Sequence, residues 1–163
     1  MLTPLAAKAR LINTSETNID TDAFAGLAPI TRIGSGEVRA DMAITASTAA
    51  WDEANGNGNG TLSFGQIDVT GTVELKKTLI IANFANEKRD YDFDITFHHP
   101  GDEASGAVTF KPPKSVSAGA TKPGKQPKFR RIVVEMEALF FVGEWSLCVA
   151  CFPLPVVIRS VVA

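Results

Sequence analysis

Apolar and polar positions along this chain change period near residue 60. In residues 3–14 the apolar positions Leu5, Ala9 and Ile12 recur at helical spacing, with Lys8 off their stripe. Thr3 suits the N-cap and Pro4 the first helical position, where a missing N–H costs nothing. The spacing predicts a helix over 3–14, ended by Asn13-Thr14-Ser15. Residues 15–31 are polar and turn-rich, without a clear period. Gly34 and Gly36 mark a tight turn, and a second helix is expected from about Glu37 to Ala50. Val38, Met42 and the Ile44/Ala46 region would supply its apolar side.

Beyond the Asn55–Gly60 run the period becomes two. Val73, Leu75, Leu79 and Ile81 alternate or continue as strand, and Asn83–Asn86 reads as a turn. Tyr91–Phe97 is the clearest strand: aromatic and aliphatic residues face one way, Asp92, Asp94 and Thr96 the other. Val108–Phe110 predicts a short strand and 111–128 a long loop. In Arg131–Phe140, Ile132, Val134 and Met136 oppose Val133, Glu135 and Glu137. The apolar end, Leu147–Val162, is expected to add one further strand interrupted by Pro153 and Pro155. Short strands between turn signals predict a mainly β, antiparallel sandwich of fibronectin type III or immunoglobulin kind, preceded by two helices. The expected organisation is a helical unit over 1–54, an Asn/Gly linker over 55–60 and the sandwich over 61–163.

Composition narrows the class. Of 163 residues, 45% are apolar and 21% charged, which excludes a disordered chain. A formal net charge of −2 gives no general attraction to nucleic acid or to an anionic membrane. No run approaches the roughly 18 apolar residues of a spanning helix. Met1-Leu2-Thr3-Pro4 lacks the basic flank and apolar core of a secretory signal.

Three segments carry a family resemblance. Thr3-Pro4, Lys8-Ala9, Leu11, Asn13 and Thr14 resemble the helix that follows the serine-bearing helix in subtilisin-like serine peptidases, with Ser15 where Ala is usual. Arg32, Gly34, Gly36 and Val38 resemble the family's Arg-x-Gly-x-Gly-x-Val turn, and Asp41–Ala46 its closing helix. Leu62, Phe64 and Gly65 resemble the entry into the fibronectin type III-like domain that extended members carry. Leu79–Asn83 looks like a strand of that domain, although Ala82 is not the common residue; beyond Leu139 the resemblance fades. It implies the C-terminal part of an extracellular or cell-surface endopeptidase. Residues 1–54 would be the remnant of its catalytic domain, and the sandwich an accessory domain. The implied partners are the upstream catalytic domain and the parent's protein substrates, with no nucleic acid, membrane or cofactor. Leu-Ser-Phe-Gly before an Ile/Val-rich strand also resembles immunoglobulin-like structural modules, which account for 61–140 but not for the first two segments.

The family's nucleophile motif, Gly-Thr-Ser-Met/Leu-Ala-x-Pro, does not occur here, and its Asp and His motifs would lie further upstream. No catalytic, cofactor or metal residue is therefore expected, and the chain alone is expected to be inactive. A helix pair without its sheet would have little to bury against, so residues 3–50 are expected to be mobile or misdocked.

Other chemistry-bearing groups read more simply. Cys148-x-x-Cys151 has no second pair to complete a zinc site, and suits apolar cysteines or an incidental disulfide. His98-His99 before Pro100-Gly101 belongs to a turn rather than a dyad with Asp94. Gly34-Ser35-Gly36 lacks the Lys-Ser/Thr of a phosphate loop. Asp90, Asp92, Asp94, Asp102 and Glu103 lack a Gly-centred calcium loop. The basic stretch Lys111, Lys114, Lys122, Lys125, Lys128, Arg130 and Arg131 reads as a solvated loop, with contact to an anionic polymer as the alternative. Asn13-Thr14-Ser15 and Asn59-Gly60-Thr61 match the N-glycosylation acceptor.

Overall fold

The computed structural model describes residues 2–21, 26–54, 60–64, 67, 70–98, 100–138 and 156–161. The expected linker residues Asn55–Asn59, the Gly65 match and the pair Cys148 and Cys151 lie outside the described residues.

Helix α1, Pro4–Asn13, forms where the spacing predicts it. The Thr3 hydroxyl accepts the Ala6 N–H at 3.2 Å, so the N-cap satisfies an otherwise orphaned donor. A two-residue ladder follows, β1 (Asp20–Thr21) with β2 (Gly26–Leu27). Then come two short helices, α2 (Ile30–Ile33) and α3 (Ala40–Thr45).

The helix expected over 37–50 is less than half that long. Its C-terminal part is strand β3, Thr48–Asp52, which pairs antiparallel with β4, Val73–Asn83. An Ala-rich run carries a helical propensity, and pairing with a long neighbouring strand overrides it. The sandwich therefore takes its first strand from before the Asn/Gly run.

The remaining elements are β5 (Arg89–Ile95), helix α4 (Pro100–Ser105), β6 (Val108–Lys111), β7 (Ser115–Ala118), β8 (Lys128–Ala138) and β9 (Val156–Val161). Among the described residues they build two antiparallel sheets, one in the order β3-β4-β8-β6 and the other β7-β5-β9. Strand β7 lies inside the stretch expected to be loop. The chain crosses from one sheet to the other between β6 and β7. Strand β9 bears out a further strand in the apolar end, pairing Phe93 with Ile158.

The inner faces of the two sheets meet in one apolar core. Leu79 and Ile81 of β4, Ile132 and Val134 of β8 and Ala50 of β3 pack with Tyr91 of β5 and Ala118 of β7. Leu62 joins this core, and Phe64 packs against its margin. The alternation in β8 is the one its sequence announces: Ile132, Val134 and Met136 are buried and Val133 is exposed. This is the mainly β, two-sheet architecture of a sandwich.

The outer face of the first sheet is covered near β3, while Phe129 and Val133 on β8 are exposed. Ala49, Ile80 and Ala82 alternate away from the core yet are buried, and α1 packs against β3. Ala6 and Ala9 are buried on that helix, and small side chains allow the close approach. Helix α1 is thus docked, contrary to the expectation of a misplaced helix pair. Helix α3 differs. Ala43 is buried, but Met42 and Ile44 are 55% and 79% exposed, and Val38 before it is 62% exposed. The apolar side assigned to that helix has little to cover it among the described residues.

Candidate functional site

Two segments of the family resemblance meet at the C-terminal end of α1, and the third begins two residues beyond a contact made there. The Asn13 side-chain oxygen accepts the Ala50 N–H at 2.7 Å, and its Nδ2 donates to the Gly60 carbonyl at 3.2 Å. Gly60 approaches so closely that an added Cβ would strike the Ile12 side chain. Leu62, two residues on, is buried in the sandwich core.

The glycine turn reaches the same place. The Ser15 hydroxyl donates to the carbonyls of Ile12 and Ser35. Glu16 and Glu37 exchange two backbone hydrogen bonds, each 2.8 Å. Gly36, at φ 104°, lies against that bridge, and a Cβ there would overlap the Glu16 carbonyl oxygen. Gly34 also has a positive φ, 59°, but faces open space. The turn thus carries the bridge that joins it to the end of α1.

A second feature lies one turn earlier on α1. The Arg10 guanidinium sits 4.3 Å above the Phe84 ring, and Arg10 Nε is buried without a hydrogen-bond partner. Burial lowers the Arg10 pKa from its ordinary value, because taking the cation out of water disfavours the charged form. A cleft of about 350 Å³ opens beside this pair, bounded opposite by the loop that carries Lys122 and Lys125. Sequence reading placed Arg10 at an unremarked position of the helix, and nothing in its spacing signals Phe84.

The His98 ring nitrogen Nε2 is 2.9 Å from the Ala28 carbonyl, which ties the region after β5 to the segment after β2. His99 lies outside the described residues. Asp90 accepts from the Ser117 hydroxyl across the β5–β7 pair and lies 3.2 Å from Lys88; both lower its pKa, Ser117 the more. Asp92 and Asp94 are exposed. Among the described residues no group of three or more His, Cys, Asp or Glu is placed to hold a metal.

The basic stretch divides by position. Lys111 pairs with Glu137 at 2.9 Å, Arg131 with Glu53, and Arg130 Nε donates to the Ser117 carbonyl. The Lys111–Glu137 hydrogen bond, then the charge of the same carboxylate, raises the Lys111 pKa. Lys122 and Lys125 make no ion pair with any described residue. Of the two glycosylation acceptors, Asn13 has its amide nitrogen engaged with Gly60, and Asn59 lies outside the described residues.

Two buried polar residues fix the frame. Asn83, fully buried, donates through Nδ2 to the carbonyls of Glu87, Ala118 and Gly119 and accepts the Ala85 N–H at 2.9 Å. The residue expected merely to open a turn therefore also latches that turn onto the end of β7. Asp52, fully buried, pairs with Lys77 at 3.1 Å and accepts the Ala54 N–H. Tyr91 is fully buried, its hydroxyl 3.1 Å from Thr48 Oγ1, and burial raises its pKa.

The fold and this junction define an antiparallel sandwich with a docked N-terminal helix. No family model matches the chain, and no curated protein matches it. Among the described residues no helix is long and apolar enough to cross a membrane.

Proposed function

We propose that this chain is the C-terminal part of a subtilisin-like serine endopeptidase, its sandwich an accessory domain that stabilises the catalytic domain of the parent. The carrying observation is the convergence on Asn13. Segments 3–14 and 32–38 resemble consecutive family motifs and are linked just beyond α1 by the Ser15–Ser35 and Glu16–Glu37 hydrogen bonds, while Asn13 holds Ala50 and Gly60, two residues before the third motif begins at Leu62. The exposed apolar residues Val38, Met42 and Ile44 further support the reading, since an upstream α/β domain would cover such a face. The extracellular or cell-surface location belongs to the same reading.

On this reading proteolysis is the work of residues upstream of Met1, and this chain supplies no nucleophile or base. Reading the transcript upstream of Met1 is the direct test. An in-frame Gly-Thr-Ser-Met/Leu-Ala-x-Pro motif a short way upstream is expected, and an uninterrupted frame without it rejects the proposal. The isolated chain is expected to leave casein intact and to form no adduct with a fluorophosphonate; inhibitor-sensitive hydrolysis would equally reject it. A non-enzymatic immunoglobulin-like module is the alternative. It accounts for the two-sheet core but not for the junction at Asn13.

A further inference from the structure

The cleft between α1 and the 121–127 loop combines features that a structural role does not require. Its Arg10 guanidinium makes no hydrogen bond or ion pair with a described residue, and its Nε is buried. Lys122 and Lys125, which also line it, likewise have no anionic partner among the described residues, whereas the strand-borne Lys111 and Arg131 of the same basic stretch do. Uncompensated like charges gathered around one concavity repel each other and favour a bound anion. The rest of the lining is apolar in part: Leu2, the Phe84 ring and Pro127. The Asn86 side chain also lines the cleft and offers a donor and an acceptor group, as a peptide unit requires. A volume of about 350 Å³ is at the small end for ligand sites, suited to a chain end and not to a folded surface.

We propose that this cleft binds the carboxylate end of a peptide whose last residue is apolar. The carboxylate pairs with Arg10, assisted by Lys122 and Lys125. The terminal side chain lies against Phe84 and Pro127, and Asn86 takes the preceding peptide unit. Arg suits this role because its planar fork matches a carboxylate. The proposal stands on the cleft alone and does not depend on the peptidase reading.

The test is a titration of the full chain, followed by amide NMR, with N-acetyl-Ala-Phe as the free acid, the same peptide as its C-terminal amide, and inorganic phosphate. The acid is expected to shift resonances of Arg10, Phe84 and the 121–127 loop, and to bind at least about tenfold more tightly than the amide. Raising the salt concentration should weaken it. Arg10→Gln should cost about tenfold in affinity. The double variant Lys122→Gln/Lys125→Gln, confined to exposed loop positions, should cost about threefold and covers the case in which Arg10→Gln fails to fold. Equal binding of acid and amide, shifts located elsewhere, or no binding of the acid at millimolar concentration would overturn the proposal. Phosphate binding as tightly as the acid would overturn the assignment to a peptide end.

Discussion

The side-chain oxygen of Asn13 accepts the backbone N–H of Ala50 at 2.7 Å, joining the last residue of helix α1 to the first strand of the sandwich. The same side chain holds Gly60, so one residue ties the strand before the Asn/Gly run to the last residue of that run. Asn13→Ala is expected to lower stability by about 1–2 kcal/mol in urea denaturation, the usual worth of two partly exposed hydrogen bonds. Its specific signature is faster hydrogen exchange at Ala50 than in the parent chain, with Ile132 unchanged.

Asn83 makes a harsher demand on its neighbours. Its amide nitrogen faces three carbonyls in a fully buried position. Asn83→Asp replaces two donors with a carboxylate and is expected to cost about 3–5 kcal/mol at pH 7. The deficit should shrink as pH falls, because the introduced carboxylate regains a donor on protonation. Thermal melts of the two proteins between pH 7 and pH 4 would show it; a deficit independent of pH would count against the latch.

Tyr91 is the single tyrosine of the chain, so tyrosinate absorbance near 295 nm reports it alone. Burial is the larger influence on its pKa and raises it, against smaller opposing effects of the Thr48 hydrogen bond and the Arg89 charge. A folded pKa above the unfolded value means that this contribution to stability is fully present below about pH 10. It is lost as pH rises through the folded pKa. The absorbance change is expected to coincide with alkaline unfolding, monitored by far-UV circular dichroism. Titration at an ordinary tyrosine pKa with the fold intact would contradict the burial.

The two glycines of the Arg32–Val38 turn should respond differently to alanine. Both have positive φ, but only Gly36 meets a backbone atom. Gly34→Ala is expected to cost about 1 kcal/mol for the left-handed conformation. Gly36→Ala, which also collides with the Glu16 carbonyl, should cost about 2–3 kcal/mol and break the Glu16–Glu37 bridge. Denaturant midpoints and exchange at the Glu37 amide would separate the two.

These elements were unequally legible. Strands β5 and β8 announce themselves because each has one buried and one solvated face, so alternation is written into the residue order. Strand β7, Ser115–Ala118, is short and built of small and polar residues amid Pro, Gly and Lys; only its pairing with β5 defines it. Strand β3 was hidden by alanines that suit a helix equally well, and β4 makes the choice. The junction was partly legible, since Asn13, Gly36 and Leu62 each stand in a segment with a recognisable pattern. The cleft was not, because Arg10 and Phe84 become neighbours only after α1 docks beside the sheet.

The position of β3 has a consequence for solution behaviour. It is the outermost strand of its sheet, and its Ala50 N–H points away from β4 into the Asn13 side chain. An unprotected border of this kind offers a template on which a second chain can add a strand, the usual route to aggregation of β proteins. Helix α1 therefore serves as a guard against self-association as well as a tie between β3 and Gly60. A chain trimmed to begin at Ser47 would retain every sandwich strand, yet is expected to assemble into oligomers through the border that the helix now closes.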